Sequence, residues 1–300
     1  VKKLLLSSLM LLAMTPSLHA AEIQIGAGGA SGEYTNTIVP AINEALQKQG
    51  MSAKAVVSAG SQENIDKVMA GEFQAGLSQL DVAALNMTKE RDPDENLILM
   101  GKISPEALFC AVKKDGKIKS YADLTDKQEQ PLKVSVGGEK SGTAKTFSYM
   151  MKLDPDLKAI EFSDKEDIDA ELDRLASGRR DLVCFVMMPN PDNVRIKRVM
   201  ESADLAFITI DKPVFTTAEV SGIKIYNIAE IPVTGGFFGL NQKKIKTLVT
   251  WTGIVVNTVK TPKDVQKALR DIVSKPDLLP ATSVAAQAKG MMDKIINLVQ

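Results

Sequence analysis

The sequence predicts an α/β fold with mostly parallel sheets, divided between two lobes that leave a ligand cleft between them. Three observations carry this prediction. Short apolar strands alternate with amphipathic helices along the chain, the pattern of βα units. One device occurs twice: an apolar strand enters a loop of the form Gly-Gly, two residues, Ser-Gly, which opens a helix. It is seen at Ile23–Tyr34 and again at Leu132–Thr143. Finally, 300 residues that are 44% apolar suffice for two cores of ordinary domain size.

The elements follow in order. Lys2 and Lys3, the apolar stretch Leu4–Met14 and the small residues before Ala21 read as a secretory signal peptide spanning residues 1–20, which places the mature chain in the periplasm. Ile23 begins the first strand. Residues 53–58 form a second strand, and Ser61 is placed as the N-cap of a helix closed by Gly71. Residues 75–80 read as a strand and Asp81 as the cap of the next helix. A charged loop spans 91–96, followed by two separate strands at 97–100 and 107–112. The second unit has a strand at 132–136, helices at 143–152, 167–176 and 194–202, and strands at 159–162 and 205–210. Its continuous apolar run Leu182–Met188 suits a buried parallel strand, ended by Pro189. Asp211-Lys212-Pro213 is read as the crossing back to the first lobe. A strand at 223–228, a Gly235–Gly239 loop, a β-branched run at 251–259 and helices at 263–274 and 283–299 complete the chain. The lobes are therefore expected at 21–104 plus 212–300, and at 105–211.

Composition excludes several chemistries. The 37 Lys+Arg balance 37 Asp+Glu, with no basic stripe, so nucleic acid is not an expected partner. The single histidine, His19, lies in the signal peptide, which removes Ser-His, Cys-His and His-metal chemistry from the mature protein. No catalytic residue, metal site or cofactor is expected. An exported enzyme working through carboxylates such as Glu33 and Asp81 is the reading of a different class. Cys110 and Cys184 leave two readings open, a disulfide or two buried thiols.

The glycine loops are not nucleotide motifs. The first reads Gly26-x-Gly28-x-x-x-Gly32, one residue too long for a dinucleotide fingerprint, and the second lacks the P-loop lysine. Their backbone N–H groups at helix starts suit a small anion. The expected ligand-binding residues are Ala30, Ser31, Gly32 and Tyr34 of the first loop, with Ser61 and Gln79 nearby. From the second unit come Lys140, Ser141, Gly142 and Thr143, with Met188 and Pro189 at the end of the long apolar run. Glu33 would oppose an anion if it pointed inward.

Gly28-Gly29-Ala30-Ser31-Gly32-Glu33-Tyr34, Gly60-Ser61-Gln62-Glu63-Asn64 and Gln79-Leu80-Asp81 together resemble the TAXI family, the TRAP-associated extracytoplasmic solute receptors. Gly138–Thr143 and Asp181–Pro189 extend the likeness over about the first 190 residues. The resemblance implies a type II periplasmic binding protein fold. It further implies a monomeric receptor that closes on a small carboxylate, such as glutamate or another dicarboxylate, and docks on a TRAP-type permease. A receptor for an ABC importer is the alternative.

Overall fold

The computed structural model describes residues 22–87, 96–126, 129–157, 160–163, 167–220, 223–235 and 242–275. The expected signal peptide, the C-terminal helix at 283–299, most of the 91–96 loop and most of the Gly235–Gly239 loop lie outside the described residues.

The first parallel run is β1 (Ile23–Gly28), β2 (Ala53–Val57) and β3 (Ala75–Gln79), with β1 in the middle. Its connections are α1 (Val39–Gln47) and α2 (Ser61–Ala70); α3 (Leu80–Met87) follows β3. α1 buries Val39, Ile42, Ala45 and Leu46 at helical spacing against Ile25 and Leu77. α2 packs Ile65 and Val68 on the other side of the sheet and stops at Gly71, whose φ of 82° favours glycine.

β4 (Leu97–Lys113) is a single 17-residue strand where two were expected. Gly101, at φ 69°, and Pro105 look like breaks in sequence, yet the strand is held along its length by a long partner. Beyond it lie α4 (Ala122–Thr125), β5 (Leu132–Ser135), α5 (Gly142–Leu153), β6 (Ile160–Phe162), α6 (Ile168–Ala176) and β7 (Leu182–Met187). The strands β7, β5 and β6 form the second parallel run. α7 (Val194–Glu201) and the short β8 (Leu205–Phe207) return to the edge of β4.

The remaining elements are β9 (Glu219–Val220), β10 (Ile223–Lys224), β11 (Asn227–Pro232), β12 (Lys244–Asn257) and α8 (Lys263–Ser274). β12 is the long partner of β4, and the sheet order is β2-β1-β3-β12-β4-β7-β5-β6. The parallel pairing lies in the two outer runs, while β4 and β12 join them by antiparallel ladders.

After Pro213 the chain packs into a core that spans both runs. Phe215, Ile225, Tyr226 and Leu248 share a core with Leu80 and Ala84 of α3, Leu108 of β4, and Leu132 and Leu182 of the second run, and Ala229, Ile231 and Val249 pack with Phe109 and Phe185. Only from Thr252 does β12 reach β3 of the first run. α8 then lays Val265, Ala268, Leu269 and Ile272 onto the first core.

Cys110 and Cys184 face each other across β4 and β7 and are disulfide-bonded, so the thiol reading is replaced. Both are fully buried.

Candidate functional site

Parallel strands in both runs direct their carboxyl ends to the same seam, where ligands sit in open α/β sheets. Contacts across that seam are direct. Gln62 N donates to the Lys140 carbonyl at 3.3 Å, and Lys140 Nζ lies 3.4 Å from Asp66 Oδ2. A Cβ built on Gly60 would stand 3.2 Å from Ser141 Cα, and one on Gly142 would stand 1.5 Å from Gln79 Oε1. The halves are closed on one another, and these two glycines permit the approach.

The expected residues lie as follows. Ser141 is the N-cap of α5: its Oγ accepts from Ala144 N at 3.1 Å and donates to the Val136 carbonyl. Thr143 Oγ1 accepts from Val186 N at 2.9 Å, tying α5 to β7. Ser61 is not a cap; Gly60 takes that position, at φ 128°, and Ser61 Oγ instead accepts from Gln79 N. Gln79 Nε2 reaches Thr146 Oγ1 at 3.4 Å. Met188 N donates to Glu33 Oε2 at 3.1 Å, which joins the end of β7 to the first glycine loop. Met188 and Pro189 are buried, while Ala30 and Ser31 are exposed at the rim and Gly32 is half-buried. The helix after the first loop opens as a π-helical turn, Tyr34–Ile38, with Glu33 at its cap position.

Tyr34 leads to the residues that sequence reasoning missed. Its hydroxyl lies 2.9 Å from Glu106 Oε2 and 2.8 Å from Thr252 Oγ1. Glu106 opposes Thr250 across the β4–β12 ladder, and Ser104 opposes Thr252, which in turn opposes Gln79 of β3. Opposed and alternate residues share one face of a sheet, so Gln79, Ser104, Glu106, Thr250 and Thr252 line one polar strip. All five are buried. Beside it Asp81, reached from Gln79 through Thr146, accepts from Thr146 Oγ1 at 2.5 Å and Tyr226 Oη at 2.7 Å.

The strip is acidic. Burial pushes the Glu106 carboxyl up to about 8, against hydrogen bonds from Thr252 and Tyr34 that favour its charge. Burial lifts Glu33 to about 7, opposed by Met188 N, Asn193 and the Arg195 charge. Asp81 is raised by burial as well. Among the described residues no group of three or more His, Cys, Asp or Glu could hold a metal ion. The sequence signal for Glu106 was a lone acid flanked by apolar strand residues, hidden because 101–106 read as a connection.

Two α/β halves joined by two long strands, with a polar strip where they meet, define the class of two-lobed periplasmic binding proteins of type II. Solved structures agree on this fold. A protein from Bordetella bronchiseptica RB50 matches with a TM-score of 0.57 at 14% identity, covering 91% of this chain and 81% of that one. The GluR0 ligand-binding core from Nostoc punctiforme, in complex with L-glutamate, matches at 0.51 and 12% identity over 89% and 98%. The substrate binding protein of an amino acid ABC transporter matches at 0.50 and 12% over 84% and 91%. The chain belongs to the NMT1-like family, whose model matches residues 25–298.

Proposed function

We propose that this protein is a solute-binding receptor that captures a small amino-acid-like solute between its halves and delivers it to an ABC-type importer. The observation that carries the reading is the seam itself: a buried polar strip enclosed by Gly60, Gly142 and the Glu33–Met188 contact, reached only when the halves part. Solute bridging both halves would favour the closed state by its differential affinity for it. Among the described residues, the working division is a first lobe of residues up to 104 with those from 252 on, and a second of those between 105 and 251. β4 and β12 connect them. The twelve residues expected from sequence supply the rim and seam, with Glu106, Thr250 and Thr252 beneath them.

Amino acids enter the reading through the fold neighbours, one crystallised with L-glutamate and one named for an amino acid ABC transporter. Delivery to a TRAP-type permease is the second reading, favoured by the Gly28–Tyr34 and Gly60–Asn64 motifs. Transport in vesicles driven by ATP would support the first, and transport driven by an ion gradient the second. A periplasmic location is part of this proposal, supported by the charged and apolar residues 2–14, which read as a leader. A carboxylate enzyme fits less well, because Asp81 is fully occupied by Thr146, Tyr226 and its own helix.

The test is a thermal-shift screen of residues 21–300, unfolded and refolded first to strip any carried solute. A solute at 100 times its Kd adds about 2.7 kcal/mol, which raises Tm by about 4–5 °C in a chain of this size. The expected result is such a shift with an amino acid, reduced by Tyr34→Phe. No shift with amino acids, organic acids, sugars or inorganic anions would overturn the receptor reading.

A further inference from the structure

We infer that the polar strip on β4 and β12 seats a cationic nitrogen of the solute, with Glu106 supplying the charge and the Thr250, Thr252 and Tyr34 hydroxyls supplying further acceptors. The inference rests on the receptor reading and specifies which end of the solute this half of the site recognises.

Two independent observations point there. Glu106 is 4% exposed and, among the described residues, forms no ion pair with a lysine or arginine. A buried carboxyl held only by hydroxyls stays neutral until a cation arrives to pair with its charged form. Directly across the ladder stands Thr250, 3% exposed, whose Oγ1 has no hydrogen-bond partner. Buried hydroxyls are normally satisfied, so this one marks the place of a missing partner, toward which its oxygen can accept. Its side chain emerges on the same face as Glu106, as does that of Thr252. An ammonium group carries three donors and no acceptor, which matches a carboxylate flanked by hydroxyl oxygens.

The surroundings add no competing positive charge. Glu33 and Asp81 are the charged neighbours felt by Glu106, and both are acidic. Glu33 is held by Met188 N, Asn193 and the Arg195 charge; Asp81 is held by Thr146, Tyr226 and Val82 N. Tyr34 keeps its proton, because burial and Glu106 both raise it. A metal ion is a poor alternative, since no group of three acidic, His or Cys ligands converges among the described residues. An organic nitrogen cation fits, because Glu106 is the carboxyl of the strip and the charges it feels are those of Glu33 and Asp81.

Binding then releases a proton. Glu106 is protonated below about pH 8 in the closed, solute-free fold and must ionise to meet a cation. Affinity for an amine that stays protonated rises by up to about tenfold per pH unit from 6 to 8.

The experiment is titration calorimetry on residues 21–300 at pH 6, 7 and 8 with matched pairs: L-glutamate and glutarate, L-alanine and propionate, L-phenylalanine and 3-phenylpropionate. The expected result is that an amine member binds and its deaminated partner binds at least tenfold more weakly. Affinity should rise toward pH 8, and Glu106→Gln should lose at least tenfold while its melting temperature does not fall. A deaminated partner that binds equally well, or a Glu106→Gln protein with unchanged affinity, overturns the cation inference and leaves the receptor reading standing. If no member of any pair binds, while the wider screen finds sugars or inorganic anions, the cation inference also falls and the receptor reading survives. Silence in both experiments removes both.

Discussion

Glu106→Gln is expected to stabilise the solute-free protein at pH 8, by up to about 4 kcal/mol, and to leave it nearly unchanged at pH 5. The cause is the mismatch between the folded and unfolded carboxyl. In the fold it titrates at about 8, against an ordinary 4.5, because burial penalises its charge. The folded chain therefore keeps a proton that the unfolded chain loses. Stability from this group is complete below pH 4.5 and declines as pH rises toward 8, at up to about 1.4 kcal/mol per pH unit. Glutamine keeps the shape and cannot ionise, so the variant lacks this slope. Glu33, raised to about 7, acts with the same sign between 4.5 and 7, but it is present in both proteins and cancels in the comparison. Urea midpoints of the two proteins at pH 5 and pH 8 test this. A difference that is the same at both pH values would contradict the burial of an uncompensated carboxyl.

The second large effect is expected at the disulfide. Reduction, or replacement of Cys110 and Cys184 together by alanine, should cost about 2–4 kcal/mol. The bond closes a separation of 74 residues, which spans α4, β5, α5, β6 and α6, so it restricts the unfolded chain strongly. In the folded state it joins adjacent strands that the β4–β7 ladder already holds. The fold should therefore survive its loss, with the same helix content and a lower urea midpoint. A midpoint unmoved by reductant, with the thiols confirmed free, would show that the cross-link contributes nothing. The buried position predicts that reductant reaches the bond only during unfolding.

Both effects concern features that the sequence conceals. Local signals were readable: the strand at Ile23, the stop at Gly71, the helices near 143–152 and 167–176, and α8 at Lys263–Ser274 follow from periodicity and turn chemistry. The glycine motifs lie at the seam between the runs, because loops after parallel strands gather at one edge. What failed was non-local. Gly101 and Pro105 resemble ends of strands, and only the β12 ladder, shifted in register between Thr252 and Ile254, carries β4 through them. That hid Glu106. Cys110 and Cys184 are distant in sequence and meet only through antiparallel pairing. Ser61 looked like a cap because serine favours that position, yet Gly60 holds it where a backbone of φ 128° passes close to Ser141. The segment after Lys212, read as a crossing on a polar proline turn, buries Phe215 and Tyr226 in a core shared by Leu80 of α3 and Leu132 and Leu182 of the second run.

The central claim is that the halves part and close over the strip on β4 and β12. The direct measurement is the distance between spin labels on Gln47→Cys of α1 and Lys152→Cys of α5. Both positions are exposed, and the native cysteines are held in their disulfide and do not compete for label. The account predicts two distances in the stripped protein, the longer one vanishing when the solute found by thermal shift is added. A single distance that no bound solute alters would contradict it.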